Sequence, residues 1–156
     1  MGFLKKKEID EERSNENKAK MNALFQQVVE DADTYQVVYG FTSDVKKSNY
    51  VLATKTTFSY GSLIIGYRES DMTIVMLDTI PDFSGCGDAK YYRKSEIKKA
   101  SFNNTKAKHV IQLAGGLFGE KFEFAVMDMN DYEHLAYIHQ TDEFYIWYEF
   151  WQKFSA

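Results

Sequence analysis

The segment DEFYIWYEFWQKF, Asp142 to Phe154, places seven aromatic residues in thirteen positions. Ring surface at that density must be covered by the rest of the fold. Starting from Thr141 or Asp142, residue types that cap helix N-termini, the residues Phe144, Trp147, Trp151 and Phe154 recur at spacings of three, four and three. Ile146 and Phe150 widen that stripe, and the pattern predicts a helix over 141–155. At roughly 1.5–3 kcal/mol per fully buried large apolar side chain, six such residues represent on the order of 10 kcal/mol of burial free energy, comparable to a whole domain's net stability. An isolated, exposed helix would forgo all of it. Tyr145, Tyr148 and Glu149 fall on the opposite side, where phenolic oxygens can reach water. A membrane-surface role is disfavoured, because Asp142, Glu143 and Glu149 against Lys153 alone would repel anionic lipid.

The rest of the chain must therefore supply a cover, and 156 residues suffice for one domain with a sizeable core. Cys86 is the only cysteine, which excludes an intramolecular disulfide and suits a reducing cytoplasm. The expected location is cytoplasmic: no run approaches the roughly 18 apolar residues of a membrane span, and the N-terminal lysines are not followed by the apolar core of a secretory signal. Residues 1–8 read as a basic tail, with Lys6 where a myristoylation pattern needs Ser or Thr. Residues 9–33 read as an amphipathic helix, since Met21, Leu24, Phe25, Val28, Val29 and Ala32 recur at threes and fours. Its first half, DEERSNENKAK, is polar all round and is expected to project or fray.

Beyond Tyr35 the period changes to that of strands. YQVVYGFT, YVLATKTTFSY, SLIIGYRE, MTIVMLD, KYYRK, IKKASF, KHVIQLA and KFEFAVM are separated by SDVKKSN, the Gly61 region, ESD, PDFSGCGD, NNT and GGLFG. In KFEFAVM, Phe122, Phe124 and Val126 face one way, and Lys121, Glu123 and Ala125 the other. That alternation predicts an antiparallel sheet with one buried face. Seven or eight such strands are expected to curl into a barrel, its open end plugged by the aromatic helix.

The stretch YYRKSEIKKASFNNTKAKHVIQLAGGLFGEKFEFAVMD, followed by a polar gap and the aromatic helix, resembles the second half of a bacterial pleckstrin-homology-like domain. The resemblance covers about residues 35–154. It implies an α+β fold, a partly open antiparallel barrel of about seven or eight strands capped by a C-terminal helix, occupying 35–156. The helix over 9–33 is then an addition, as a dimer arm or a pack-on element. Phosphoinositide-binding relatives share a spacing of basic residues across their first two strands; here Lys47 and Lys55 match it, and Thr57 stands where a second cation would be expected.

Charge is polarised along the chain. Between Lys90 and Lys108 seven basic residues face Glu96 alone, whereas Glu120 to Ala156 holds eight acids and two lysines. Arg93, Lys94, Lys98, Lys99, Lys106 and Lys108 form the candidate binding patch, with Asn103 and Asn104 as a turn that would gather the last four lysines at one end of a hairpin. Such a patch attracts an acidic protein or peptide surface, and more weakly an acidic lipid headgroup. It also serves, more simply, as a lysine-protected sheet edge. Nucleic acid is not expected, because a net charge of −4 opposes the long-range attraction on which such binding depends.

No catalytic constellation, metal site or cofactor is expected. GGLFGEK lacks the Gly-Lys-Ser/Thr of a phosphate loop, His134 and His139 have no companion ligands in sequence, and Cys86 has no adjacent base. Asp78, Asp82 and Asp88 read as turn formers. The leading expectation is a non-enzymatic binding or scaffolding module that recruits a protein or peptide by strand addition, with self-association through the N-terminal helix also open. The alternative is a small-ligand carrier or enzyme of cone-like α+β fold, whose curved sheet wraps an aromatic-lined cavity.

Overall fold

The computed structural model describes residues 8–49, 54–114 and 120–156, with the backbone alone at 44–49 and 54–59. Helix α1 spans Glu11–Val28, and a short 3-10 turn at Ala32–Thr34 leads into the strands. β1 (Gln36–Asn49), β2 (Thr54–Arg68), β3 (Thr73–Thr79) and β4 (Lys90–Arg93) form one antiparallel meander in that order. A second 3-10 turn, Lys94–Glu96, precedes a three-stranded antiparallel sheet of β5 (Ile97–Asn103), β6 (Lys108–Leu113) and β7 (Lys121–Phe124). A two-stranded ribbon, β8 (Met129–Asn130) with β9 (Ile138–His139), connects to the terminal helix α2 (Thr141–Phe154).

Over 62–67 of β2 and 73–77 of β3 the four-stranded sheet is buried on both faces, so these segments read as continuous apolar runs where an alternating pattern would mark a half-wet sheet. Ser62 to Tyr67 and Thr73 to Leu77 are buried without interruption. Tyr39, Ile64, Val75 and Leu77 meet Met21 and Phe25 of α1, and Val29 just after it, on one face. Val38, Leu63, Ile65, Ile74 and Met76 meet Trp147, Phe150, Trp151 and Phe154 of α2 on the other. The aromatic helix also takes Ala100, Ile111, Phe124 and Val126 from the second sheet. It lies between two sheets, as a filling, where a plug at one end of a barrel was expected.

That arrangement overturns the expected pleckstrin-homology-like, partly open barrel: among the described residues the strands form separate antiparallel sheets, and none closes into a barrel. Among the described residues the two sheets are bridged at a single pair, Phe41 N–H to Ala125 O at 2.9 Å and Ala125 N–H to Phe41 O at 2.8 Å. At the other side the chain passes from β4 through the Lys94–Glu96 turn into β5, and those two strands do not pair. With β4 only four residues long and the α2 rings occupying the space between the sheets, closure has neither the strand length nor the room. Two smaller expectations also change. Gly61, read as a turn, sits inside the long β1–β2 hairpin opposite Thr42. Ala125, assigned to a wet face, is buried at the bridge to Phe41.

The N-terminal helix is built into the core. Asp10 caps it, accepting from the Arg13 N–H at 3.0 Å, and Glu11 and Glu12 sit favourably in its first turn. Its polar half docks through hydrogen bonds. Ser14, fully buried, accepts from the His139 N–H at 2.9 Å, and Asn17 Nδ2 donates to Tyr137 O at 2.9 Å. The Arg13 guanidinium lies over the Tyr137 ring, 4.7 Å from its centroid. In α2 the N-cap position is Gln140 where Thr141 or Asp142 was expected, and Ile146 is exposed where the stripe predicted burial.

Gly66 is the seat for Phe25. A Cβ there would overlap the Phe25 ring and Val75 Cγ1, whereas one at Gly85 meets nothing. Gly66→Ala is therefore expected to cost about 1–3 kcal/mol through overpacking, with Gly85→Ala within about 0.5 kcal/mol of wild type. Urea unfolding of both variants checks this; equal stabilities would place α1 elsewhere.

Candidate functional site

The most unusual chemical group in the core is His109 on β6. Its side chain is enclosed by rings, with centroids at 4.6 Å from Trp151, 5.2 Å from Phe124 and 5.4 Å from Trp147. The Trp147 indole N–H donates to His109 Nε2 at 3.2 Å. An indole nitrogen can only donate, so Nε2 is the acceptor and the proton of the neutral imidazole resides on Nδ1. Nδ1 is buried without a hydrogen-bond partner among the described residues, as is Trp151 Nε1. Burial penalises the imidazolium and pulls the His109 pKa down to about 3. The ring is a neutral hydrogen-bonding strut between sheet and helix.

A second internal contact closes the edge of β1. The Gln140 side-chain amide accepts from the Tyr39 N–H at 2.9 Å and donates to Tyr39 O and Met127 O, both at 2.8 Å. It occupies the place of a neighbouring strand. Phe41 is paired with Ala125, and Lys108 Nζ donates to Ser43 O at 3.0 Å, so three successive outward positions of β1 are engaged. The β5 outer edge is different: among the described residues no strand pairs with it.

The structure divides the six candidate cations into two groups. Arg93, Lys94, Lys98 and Lys99 flank the β4–β5 connection, while Lys106 and Lys108 stand at the β5–β6 turn. Lys108 pairs in register with Asn103, four residues beyond Lys99, which separates the groups by about 13 Å along the strand. The turn therefore does not gather the four lysines together. A β-bulge between Ile97 and Lys99 leaves Lys98 and Lys99 both exposed. Arg93 pairs with Glu96 at 3.8 Å, and Lys94 Nζ donates to Lys153 O at 2.7 Å, near the electronegative C-terminal end of α2. Lys98 and Lys99 have no ion-pair partner among the described residues. The side chains of Lys47, Lys55 and Thr57, and the glycine-rich 115–119, lie outside the described residues.

Three surface clefts adjoin these features. One of about 190 Å³ runs between β5 and the end of α2, lined by Ile97, Lys98, Ala100 and Phe154. Another, of about 290 Å³, opens between the β5–β6 turn and α2. The third, of about 420 Å³, is bordered by Phe41, Tyr60, Tyr132 and His134. The space between the two sheets is filled by the α2 rings, which is where much of the aromatic content goes.

The remaining chemical candidates have structural employment. Burial, followed by the neighbouring Asp88 charge, raises the Cys86 thiol pKa, the opposite of nucleophile activation. Asp78 lies 3.6 Å from Lys90, and Asp82 accepts from the Ser84 N–H at 3.0 Å. His139 Nδ1 contacts Glu11 at 2.7 Å and its Nε2 contacts Thr141 at 2.8 Å. No cluster of three or more His, Cys, Asp or Glu positioned for a metal occurs among the described residues. No helix described is long and apolar enough to cross a membrane.

Comparison of the chain with protein-family models, curated proteins and solved structures finds no match. Nothing in those comparisons supports a bacterial source.

His109 gives the fold a specific acid sensitivity. Its folded-state pKa lies below the ordinary 6.5, so between those values the unfolded chain binds a proton that the folded chain does not. The associated stability is complete above about pH 6.5 and is lost as pH falls toward 3. From pH 7 to pH 5 the wild type should lose about 2 kcal/mol that His109→Gln does not. Urea melts of both proteins at the two pH values measure the difference; parallel losses would contradict a buried neutral imidazole.

Proposed function

We propose that this protein is a non-enzymatic recruitment module that takes an acidic, extended peptide onto the outer edge of β5. The observation that carries the reading is the coincidence of an unpaired sheet edge with exposed cations, Lys98 and Lys99, free of ion pairs among the described residues. An open edge supplies backbone donors and acceptors at strand spacing, which give affinity without regard to side chains. The adjoining cleft between β5 and α2, lined by Ile97, Ala100 and Phe154, would receive an apolar side chain of the peptide. Lys94, Lys98 and Lys99 would select for acidic residues beside it and speed the encounter.

The β1 edge is a poorer receptor, because Gln140, Ala125 and Lys108 already engage it at Tyr39, Phe41 and Ser43. The apolar stripe of α1 is largely occupied by its own sheet, so a partner is better sought at β5 than at a helix pair. We place the protein in the cytoplasm, a reading supported by its lone cysteine.

The test uses a fluorescein-labelled peptide alternating Asp or Glu with Val or Leu, followed by polarisation. Wild type should bind with an affinity that weakens as salt rises. Lys98→Glu with Lys99→Glu should reduce it at least ten-fold, and a proline at the centre of the peptide should abolish it by removing a backbone donor. Binding that survives both changes, or no saturable binding by wild type, would sink the proposal.

A further inference from the structure

The second pair of cations, Lys106 and Lys108, belongs to a different surface. They border the cleft of about 290 Å³ between the β5–β6 turn and α2. Its walls are mainly apolar and include Phe102, Met127, Phe144 and Tyr148. Phe102 is 40% and Tyr148 46% exposed, so both rings present apolar surface that an occupant would cover. No acidic side chain contributes to the lining, and neither lysine has a carboxylate partner among the described residues.

His109 adds an independent indication. It lines the same cleft while being only 3% exposed, and its Nδ1 has no partner. Because Trp147 donates to Nε2, Nδ1 presents a proton. A buried donor without an acceptor, on a residue that shares its cleft with two cations and apolar walls, matches an oxyanion attached to an apolar body. The volume lies near the lower end of the range for small-molecule sites, roughly 300–1,000 Å³, which suits one short chain better than a two-chain lipid.

We propose that this cleft binds a small amphipathic carboxylate, with its apolar tail along Phe102, Met127, Phe144 and Tyr148 and its carboxylate held by Lys106, Lys108 and the His109 Nδ1–H. The site is separate from the β5 edge and stands whether or not a peptide binds there.

The probe is decanoate, titrated below its micelle concentration and followed by calorimetry and by ¹⁵N spectra of the histidine side chains. Saturable one-to-one binding is expected, with the His109 Nδ1–H resonance shifting as the site fills. Lys106→Glu with Lys108→Glu should weaken affinity at least ten-fold, and decyltrimethylammonium should bind no more than a tenth as well. Lys98→Glu with Lys99→Glu should leave decanoate affinity unchanged, which separates this site from the peptide edge. The proposal is overturned by absent or non-saturable binding, by equal affinity for the cationic amphiphile, or by sensitivity to Lys98 and Lys99 in place of Lys106 and Lys108. Should the Lys106 and Lys108 variant fail to fold, the wild-type His109 resonance still decides: a signal unmoved at saturation rules the site out.

Discussion

Two sheets that share one pair of backbone hydrogen bonds among the described residues need something else to hold them, and the α2 rings do so. Trp147, Phe150, Trp151 and Phe154 belong to one buried cluster that takes residues from both the four-stranded and the three-stranded sheet. Dispersion and the hydrophobic effect supply the attraction, and neither is directional. Direction comes from the Trp147 to His109 hydrogen bond, which ties one helix position to one strand position at 3.2 Å. Removing the helix would expose an apolar face on each sheet simultaneously. The second face of the larger sheet is closed independently by α1, through Met21 and Phe25, and by Val29 that follows it.

The same geometry decides where binding surface is left. Filling the space between the sheets with rings keeps them from closing on each other, and sheets that stay separate retain edges. The β1 edge is occupied by a side-chain amide, a bridge and a lysine, whereas the β5 edge is left to its bulge and its lysines. Bulges and edge lysines are the ordinary means by which proteins discourage uncontrolled strand pairing. They do not prevent addition by a partner whose acidic residues complement them. Selectivity through charge and affinity through backbone pairing are compatible at one edge.

Much of this fold was legible in the sequence because periodicity reports burial. The i, i+3, i+4, i+7 recurrence marked α2 within a residue of its observed end, and the runs MTIVMLD and KHVIQLA located β3 and β6. The misreadings share a cause: they depend on contacts distant in the chain. Gly61 has the chemistry of a turn, and only its register partner Thr42 keeps it in a strand. DEERSNENKAK has no apolar stripe, so its docking through Ser14, Asn17 and Arg13 to residues 137–139 left no periodic trace. The site was legible to a lesser degree. The basic residues were visible, but the bulge and register that part them into two groups were not, and nothing in KHVIQLA signals that the fold brings Trp147 beside His109.

The sealing of α2 between the sheets has a native reporter, because the chain has only two tryptophans, both in that helix and both at most 3% exposed. Intrinsic tryptophan fluorescence therefore reads this contact without labelling. A sealed helix should show blue-shifted emission, weak quenching by acrylamide, and a red shift on unfolding that coincides with the loss of the β-sheet circular dichroism signal. Emission like that of free indole, ready quenching in the native protein, or a red shift that precedes loss of the sheets would contradict it.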